Sequence, residues 1–218
     1  MKTKLYILLI ALTLAFTAFS QSSGYKEGMR KHIALFESAK SGADFFKAAN
    51  AFEAIAGEEK KEWLPYYYAG LCNVLTAFTK PKTEIDALCD KADVFVRKAD
   101  SLSKNNSEVM VLKSMIAAAR ISVNQTKRGQ KYGMQATKFA NEAVKLNESN
   151  PRAYFVKAQA ILYTPTAFGG GQKKAKPVFE QAIEKAKAFK SESTLHPRWG
   201  MVEAEKELKK LKITNEKK

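Results

Sequence analysis

The 218-residue sequence predicts an all-α fold: a solenoid of about four helical hairpins, closed by one further C-terminal helix. Three observations predict it. Apolar residues recur three and four positions apart through nearly the whole chain, the period of an amphipathic helix. Almost nothing alternates with period two, so a sheet is not expected. The pattern also returns on itself: Ala48, Ala92 and Ala136 stand 44 residues apart (48 to 92, 92 to 136), and Ala175 follows 39 after. Phe52, Val96, Ala140 and Phe179 lie four residues beyond these, and Ile55, Ala99, Ala143 and Ala182 seven beyond. Fifteen past the first three of that last set come the small residues Gly70, Ser114 and Ala158. A separation kept at several positions at once marks a structural repeat.

The first twenty residues stand outside this pattern. Lys2 and Lys4 make a positive start, Leu5 to Ala18 are almost wholly apolar, and Ala18-Phe19-Ser20 forms a small-x-small cleavage site. This reads as a signal peptide over 1–20, cleaved between Ser20 and Gln21, leaving one helical repeat domain over 21–218. The apolar run is shorter than the roughly 20 residues a bilayer span needs, and no later run reaches that length. No Cys follows it to take a lipid. The mature chain is therefore expected to be exported, periplasmic or secreted, without a transmembrane span.

The helices follow in order. Met29, Ile33 and Phe36 carry the first, from Tyr25 to Lys40, which Ser41-Gly42 breaks. Ser41 or Asp44 caps the second, whose stripe is Phe45, Ala48, Ala49, Phe52 and Ile55. The third runs from Glu62 to Phe78, with Pro65 in its first turn, where a missing N–H does no harm. The fourth starts near Thr83 and presents Ile85, Leu88, Ala92, Phe95, Val96, Ala99 and Leu102; the fifth runs from Glu108 to about Val123. A polar interval, Asn124 to Gly129, is expected to separate it from the sixth, with Met134, Phe139, Ala140, Ala143 and Leu146. Pro151 opens the seventh, which ends at Tyr163; a Pro- and Gly-rich loop leads to the eighth, Lys173 to Phe189. A Ser-rich linker reaches Trp199-Gly200, and Val202, Ala204, Leu208 and Leu211 mark the last helix.

These residues resemble the tetratricopeptide repeat, a helix-turn-helix unit of 34 residues with small residues at its eighth and twentieth positions, an aromatic near the twenty-fourth and Ala at the twenty-seventh. Gly70, Ser114 and Ala158 fit the small eighth position, and Ala92/Val96/Ala99 and Ala136/Ala140/Ala143 fit the later ones. Tyr66, Met110 and Tyr154 replace the family's first-helix Trp. The longer period is a departure: about ten residues are added within each hairpin, in its helices or its turn. The chain is similar in this to the irregular tetratricopeptide-like proteins that bacteria export.

The resemblance implies that the first helix of each hairpin lines a concave face. Tyr67, Leu71 and Val74, then Val111, Met115 and Ala118, then Phe155, Gln159 and Leu162 would fall on it, nearly all apolar or aromatic. Such a face is either a groove for an apolar ligand or helix, or one that the superhelix fills itself. Cys72 and Cys89 are the only cysteines, in a compartment where disulfides persist. Both fall level on facing helices if the chain turns at Lys80-Pro81, which leaves open a disulfide between them or two small buried thiols.

Chemistry is sparse. The formal charge is +15, but the lysines are spread along the outward faces of the helices, so no nucleic-acid partner is expected. The run GGGQKK from Gly169 departs from the P-loop spacing and reads as a turn needing positive φ, with Phe168 folded back onto the core. His32 reads as a packed or rim residue and His196 as a linker residue; Glu58, Glu59 and Glu62 are offset by Lys60 and Lys61. Asp86, Asp90 and Asp93 read as an ordinary charged face. No metal-ligand or nucleophile spacing stands out, so neither an enzyme, a metal nor a cofactor is expected. The sequence points to a non-catalytic scaffold or adaptor binding another envelope protein, with a carrier of a small apolar ligand or lipid as the alternative.

Overall fold

The computed structural model describes residues 23–216, so the expected leader and its cleavage site lie outside the described residues. Among these, the chain forms nine α-helices and no strand: α1 (Ser23–Glu37), α2 (Gly42–Glu58), α3 (Trp63–Ala77), α4 (Lys82–Leu102), α5 (Ser107–Ile121), α6 (Gln125–Leu146), α7 (Pro151–Tyr163), α8 (Gln172–Ala188) and α9 (Met201–Glu216). They pair as four hairpins, α1/α2, α3/α4, α5/α6 and α7/α8, with α9 packed on α8 and α7. The first helices α3, α5 and α7 also touch one another in succession, forming an inner row. The second helices make their main contacts with the helices before and after them. None of the helices among the described residues is long and apolar enough to cross a membrane.

The 44-residue repeat has a physical counterpart. A methyl group added at Gly70 would meet Cγ2 of Val96 at 2.9 Å and the Ala92 carbonyl at 3.6 Å, so only glycine lets α3 and α4 cross this closely. One repeat later, Ser114 Oγ donates to the Ala136 carbonyl at 2.9 Å across α5 and α6. The small residues sit where helices cross, and larger ones fill the grooves beside them. The added residues lie in the second helices: α4 has 21 residues and α6 has 22, against 15 in α3 and in α5. At the N-terminal end Phe52 stacks on Tyr68 at 4.8 Å, with Phe36 against Tyr68 at 5.9 Å. Each such buried ring contributes about 1.5–3 kcal/mol of apolar burial.

Local chemistry starts the helices as the sequence implies. Ser41 and Asp44 form a reciprocal capping box on α2, and Asn106 and Asn150 accept from the backbone N–H groups of Glu108 and Arg152. Two expectations need correction, and the alternative left open for the cysteines is decided. The polar interval is helical from Gln125 on, because Asn124 accepts from Lys127 N–H and caps α6 early, and Arg128 is held by Asp86 of α4. Phe168 is not folded back: it is 82% exposed on the loop between α7 and α8. Cys72 and Cys89 are free, buried thiols rather than a disulfide; Cys89 turns its sulfur toward the Ile116 carbonyl of α5, at 4.0 Å.

Candidate ligand-binding cleft

The apolar face that the repeats predict is mostly occupied by the protein itself. Tyr67, Leu71, Val74, Val111, Met115 and Phe155 are buried, while Ala118, Gln159 and Leu162 are half-buried. Part of the covering comes from the linker between α8 and α9. Tyr68 donates its hydroxyl proton to the Leu195 carbonyl at 3.0 Å, Trp199 Nε1 donates to the Tyr67 hydroxyl at 2.9 Å, and the Phe155 and Trp199 rings meet edge to face at 6.2 Å.

This linker also closes one side of a cleft of about 770 Å³ at the end of the molecule where the α5 and α7 N-termini lie. That volume falls within the range, roughly 300–1,000 Å³, of small-molecule sites. Trp63 of α3 lines it, with the turns Ser103–Glu108 and Leu146–Arg152, the end of α8 from Glu184 to Phe189, and the linker to Pro197. Four cationic side chains line it, Lys104, Lys185, Lys190 and Arg152, against the carboxylates of Glu108, Glu184 and Glu192, together with the rings of Trp63, Phe189 and His196.

Its floor is a buried ion pair. Arg152 Nε donates to both Glu108 carboxylate oxygens at 2.9 Å, and Nη2 donates to Oε1 at 2.7 Å. Asn150 Nδ2 and the Tyr67 hydroxyl donate to the same carboxylate at 2.7 and 3.2 Å. The Arg152 guanidinium lies over the Phe189 ring at 4.7 Å and donates to the Trp199 carbonyl at 3.5 Å, so the pair also holds the linker. Burial opposes the charge on Arg152, but the adjacent Glu108 carboxylate more than compensates and raises its pKa. Burial, reinforced by the negative charge of Glu108, keeps the Tyr67 phenol protonated far above its ordinary range. Taking two charges out of water costs several kcal/mol per ion, and here five hydrogen bonds to one carboxylate offset that cost.

Both histidines are placed. His32 packs edge-on against Phe52 at 6.1 Å, and burial lowers its pKa. His196 lines the cleft with its ring edge-on to Trp63 at 5.7 Å; Nδ1 lies 2.8 Å from Ser193 Oγ and Nε2 3.1 Å from the Glu192 carboxylate. Asp86, Asp90 and Asp93 all contact Arg120, and Asp86 also contacts Arg128; among the described residues no cluster of three or more His, Cys, Asp or Glu side chains is arranged to hold a metal ion.

Sequence reading passed over Glu108, Arg152, Phe189 and Trp199. A signal for the first two was present. Leu64, Glu108 and Arg152 are the same repeat position, 44 residues apart, and opposite charges stand in two adjacent repeats where the first has leucine.

No protein-family model matches the chain, and no curated protein matches it. A solved structure does: the chain is similar to the HusA haemophore from Porphyromonas gingivalis, at 35% sequence identity and a TM-score of 0.81. The match covers 90% of this chain and 96% of that one.

Proposed function

The chain belongs to the family of the HusA haemophore from Porphyromonas gingivalis, and on that premise we propose that it is an exported, non-catalytic carrier of haem. The observation that carries this reading is the likeness itself, 35% identity over nearly the full length of both chains. The same finding overturns the expectation of a scaffold or adaptor: the related protein is a haemophore. The carrier alternative survives, with a different seat for its ligand. The apolar face is mostly covered by the chain's own side chains, and we assign the ligand to the cleft beside Arg152.

Haem is a flat apolar macrocycle bearing two carboxylates. The cleft offers chemistry for both parts: Trp63 and Phe189 for the ring, and Lys104, Lys185 and Lys190 for the carboxylates. His196 already has contacts at both ring nitrogens, so the macrocycle and its carboxylates, rather than a freely available imidazole, carry the recognition. The tetratricopeptide-like character of the hairpins belongs to this same reading, as the scaffold that brings the turns of successive hairpins to one end.

Absorbance titration of the purified protein with haem tests it. A saturable change in the Soret band is expected at one haem per chain. Lys104→Glu with Lys190→Glu, both at exposed positions, should weaken binding about tenfold or more through repulsion of the carboxylates, without lowering the melting temperature. Absence of a saturable change would refute the carrier, and an unchanged affinity in the double variant would move the site away from the cleft.

A further inference from the structure

The end of α7 and the loop that follows it present aromatic side chains to solvent from a hydrogen-bonded base. Phe168 is 82% exposed and Tyr163 74% exposed, and Pro165, Thr166, Ala167 and Gly169 beside Phe168 are exposed as well. The base is tightly bonded. Thr164 Oγ1 donates to the Ala160 carbonyl at 2.7 Å, Gly171 N–H to Ile161 at 2.9 Å, and Phe168 N–H to Pro165 at 2.9 Å. Gly169 adopts φ 85°, a left-handed conformation that glycine takes without penalty, and Gly170 is buried against the carbonyls of Ile161 and Thr164, where no side chain fits. The fold holds this loop in shape, and holds Phe168 out of the core.

The charge on the α8 side of it has one sign. From Thr164 to Phe179 the sequence has no acidic residue, while Lys173 and Lys174 are exposed at the start of α8. The Lys174 ammonium lies 3.7 Å from where a Gly169 side chain would begin. On the other side, Lys210 of α9 stands near Tyr163 and is paired with Glu207.

We infer that this loop docks the protein on an anionic lipid surface, with Phe168 and Tyr163 entering the headgroup layer and Lys173 and Lys174 meeting lipid phosphates. A projecting apex of about five residues cannot supply the roughly 800 Å² per partner of a stable protein interface. It can insert an aromatic ring into a soft interface, where aromatic residues concentrate and each nearby lysine adds attraction to negative lipid. This docking is independent of the cleft.

Co-sedimentation with vesicles tests it, using phosphatidylcholine mixed with phosphatidylglycerol against phosphatidylcholine alone. The protein should sediment with the mixed vesicles only, and less so as salt is raised. Phe168→Ser should weaken that binding about tenfold, as expected for one ring withdrawn from an apolar layer, and Lys173→Glu with Lys174→Glu should abolish it. The proposal is overturned if the wild type does not sediment, or if Phe168→Ser binds as tightly, since the general positive charge would then account for the attraction. Haem absorbance on the same variants should be unchanged, so the two readings fail separately.

Discussion

The Glu108–Arg152 pair shows how much one residue position can decide. In the first full repeat the position is Leu64, buried and apolar; in the next two it holds opposite charges that can only be buried together. Removing one partner should therefore cost more than removing both. Arg152→Met is expected to destabilise the protein by about 3–5 kcal/mol, because it strands a buried carboxylate, while Glu108→Leu with Arg152→Met should recover at least half of that. Denaturant midpoints of the single and double variants measure the difference; equal loss in both would mean that the pair's other partners, Tyr67 and Asn150, set the cost. The cysteines give a second prediction at this scale. Burial pushes the Cys89 thiol up to about 12 and the Cys72 thiol higher, so neither forms thiolate near neutral pH. Both should resist iodoacetamide in the native protein and react in denaturant without prior reduction; a requirement for reductant would reveal a disulfide in solution.

At the scale of elements, α4, α5 and α6 are tied by charge as well as by packing. Arg120 of α5 reaches Asp90 and Asp93 at 2.7 Å and Asp86 at 3.4 Å, and Arg128 of α6 binds Asp86 at 2.7 and 2.9 Å. The hydrogen bond from Arg128, with the nearby charges of both arginines, holds the Asp86 carboxyl below its ordinary pKa. In the capping box of α2, the hydrogen bond from Ser41 does the same for Asp44. A depressed carboxylate stabilises the fold fully above its unfolded pKa of about 4, and that contribution is lost as pH falls through the lower folded value. Melting temperature should therefore fall on acidification below about pH 4, and Arg128→Gln should be less stable at neutral pH yet lose less on the way down. Parallel pH curves for the two proteins would rule the Asp86 contact out as a source of acid sensitivity. The start of α6 illustrates what local sequence hides. Residues 125–129 carry polar and glycine positions that read as a loop, and become helical because Asn124 caps them and an aspartate 42 positions earlier holds Arg128.

For the molecule as a whole, the face lined by the first helices is mostly covered, and a cleft lies instead at the end where turns and the α8–α9 linker converge. The carrier proposed here would then hold its ligand beside a buried ion pair that also pins the linker through Trp199, and meet a lipid surface with a separate loop between α7 and α8. The sequence by itself determined the all-helical hairpins, their number and the places where helices cross, since helical period and small residues at repeated intervals record which side of each helix faces a neighbour. Only the tertiary structure decided that the predicted apolar face is mostly covered, that the two thiols do not bond, that Phe168 points outward and that Glu108 finds Arg152. Those outcomes depend on distances and directions between segments far apart in the chain, and a one-dimensional pattern of apolar and small residues carries no measure of either.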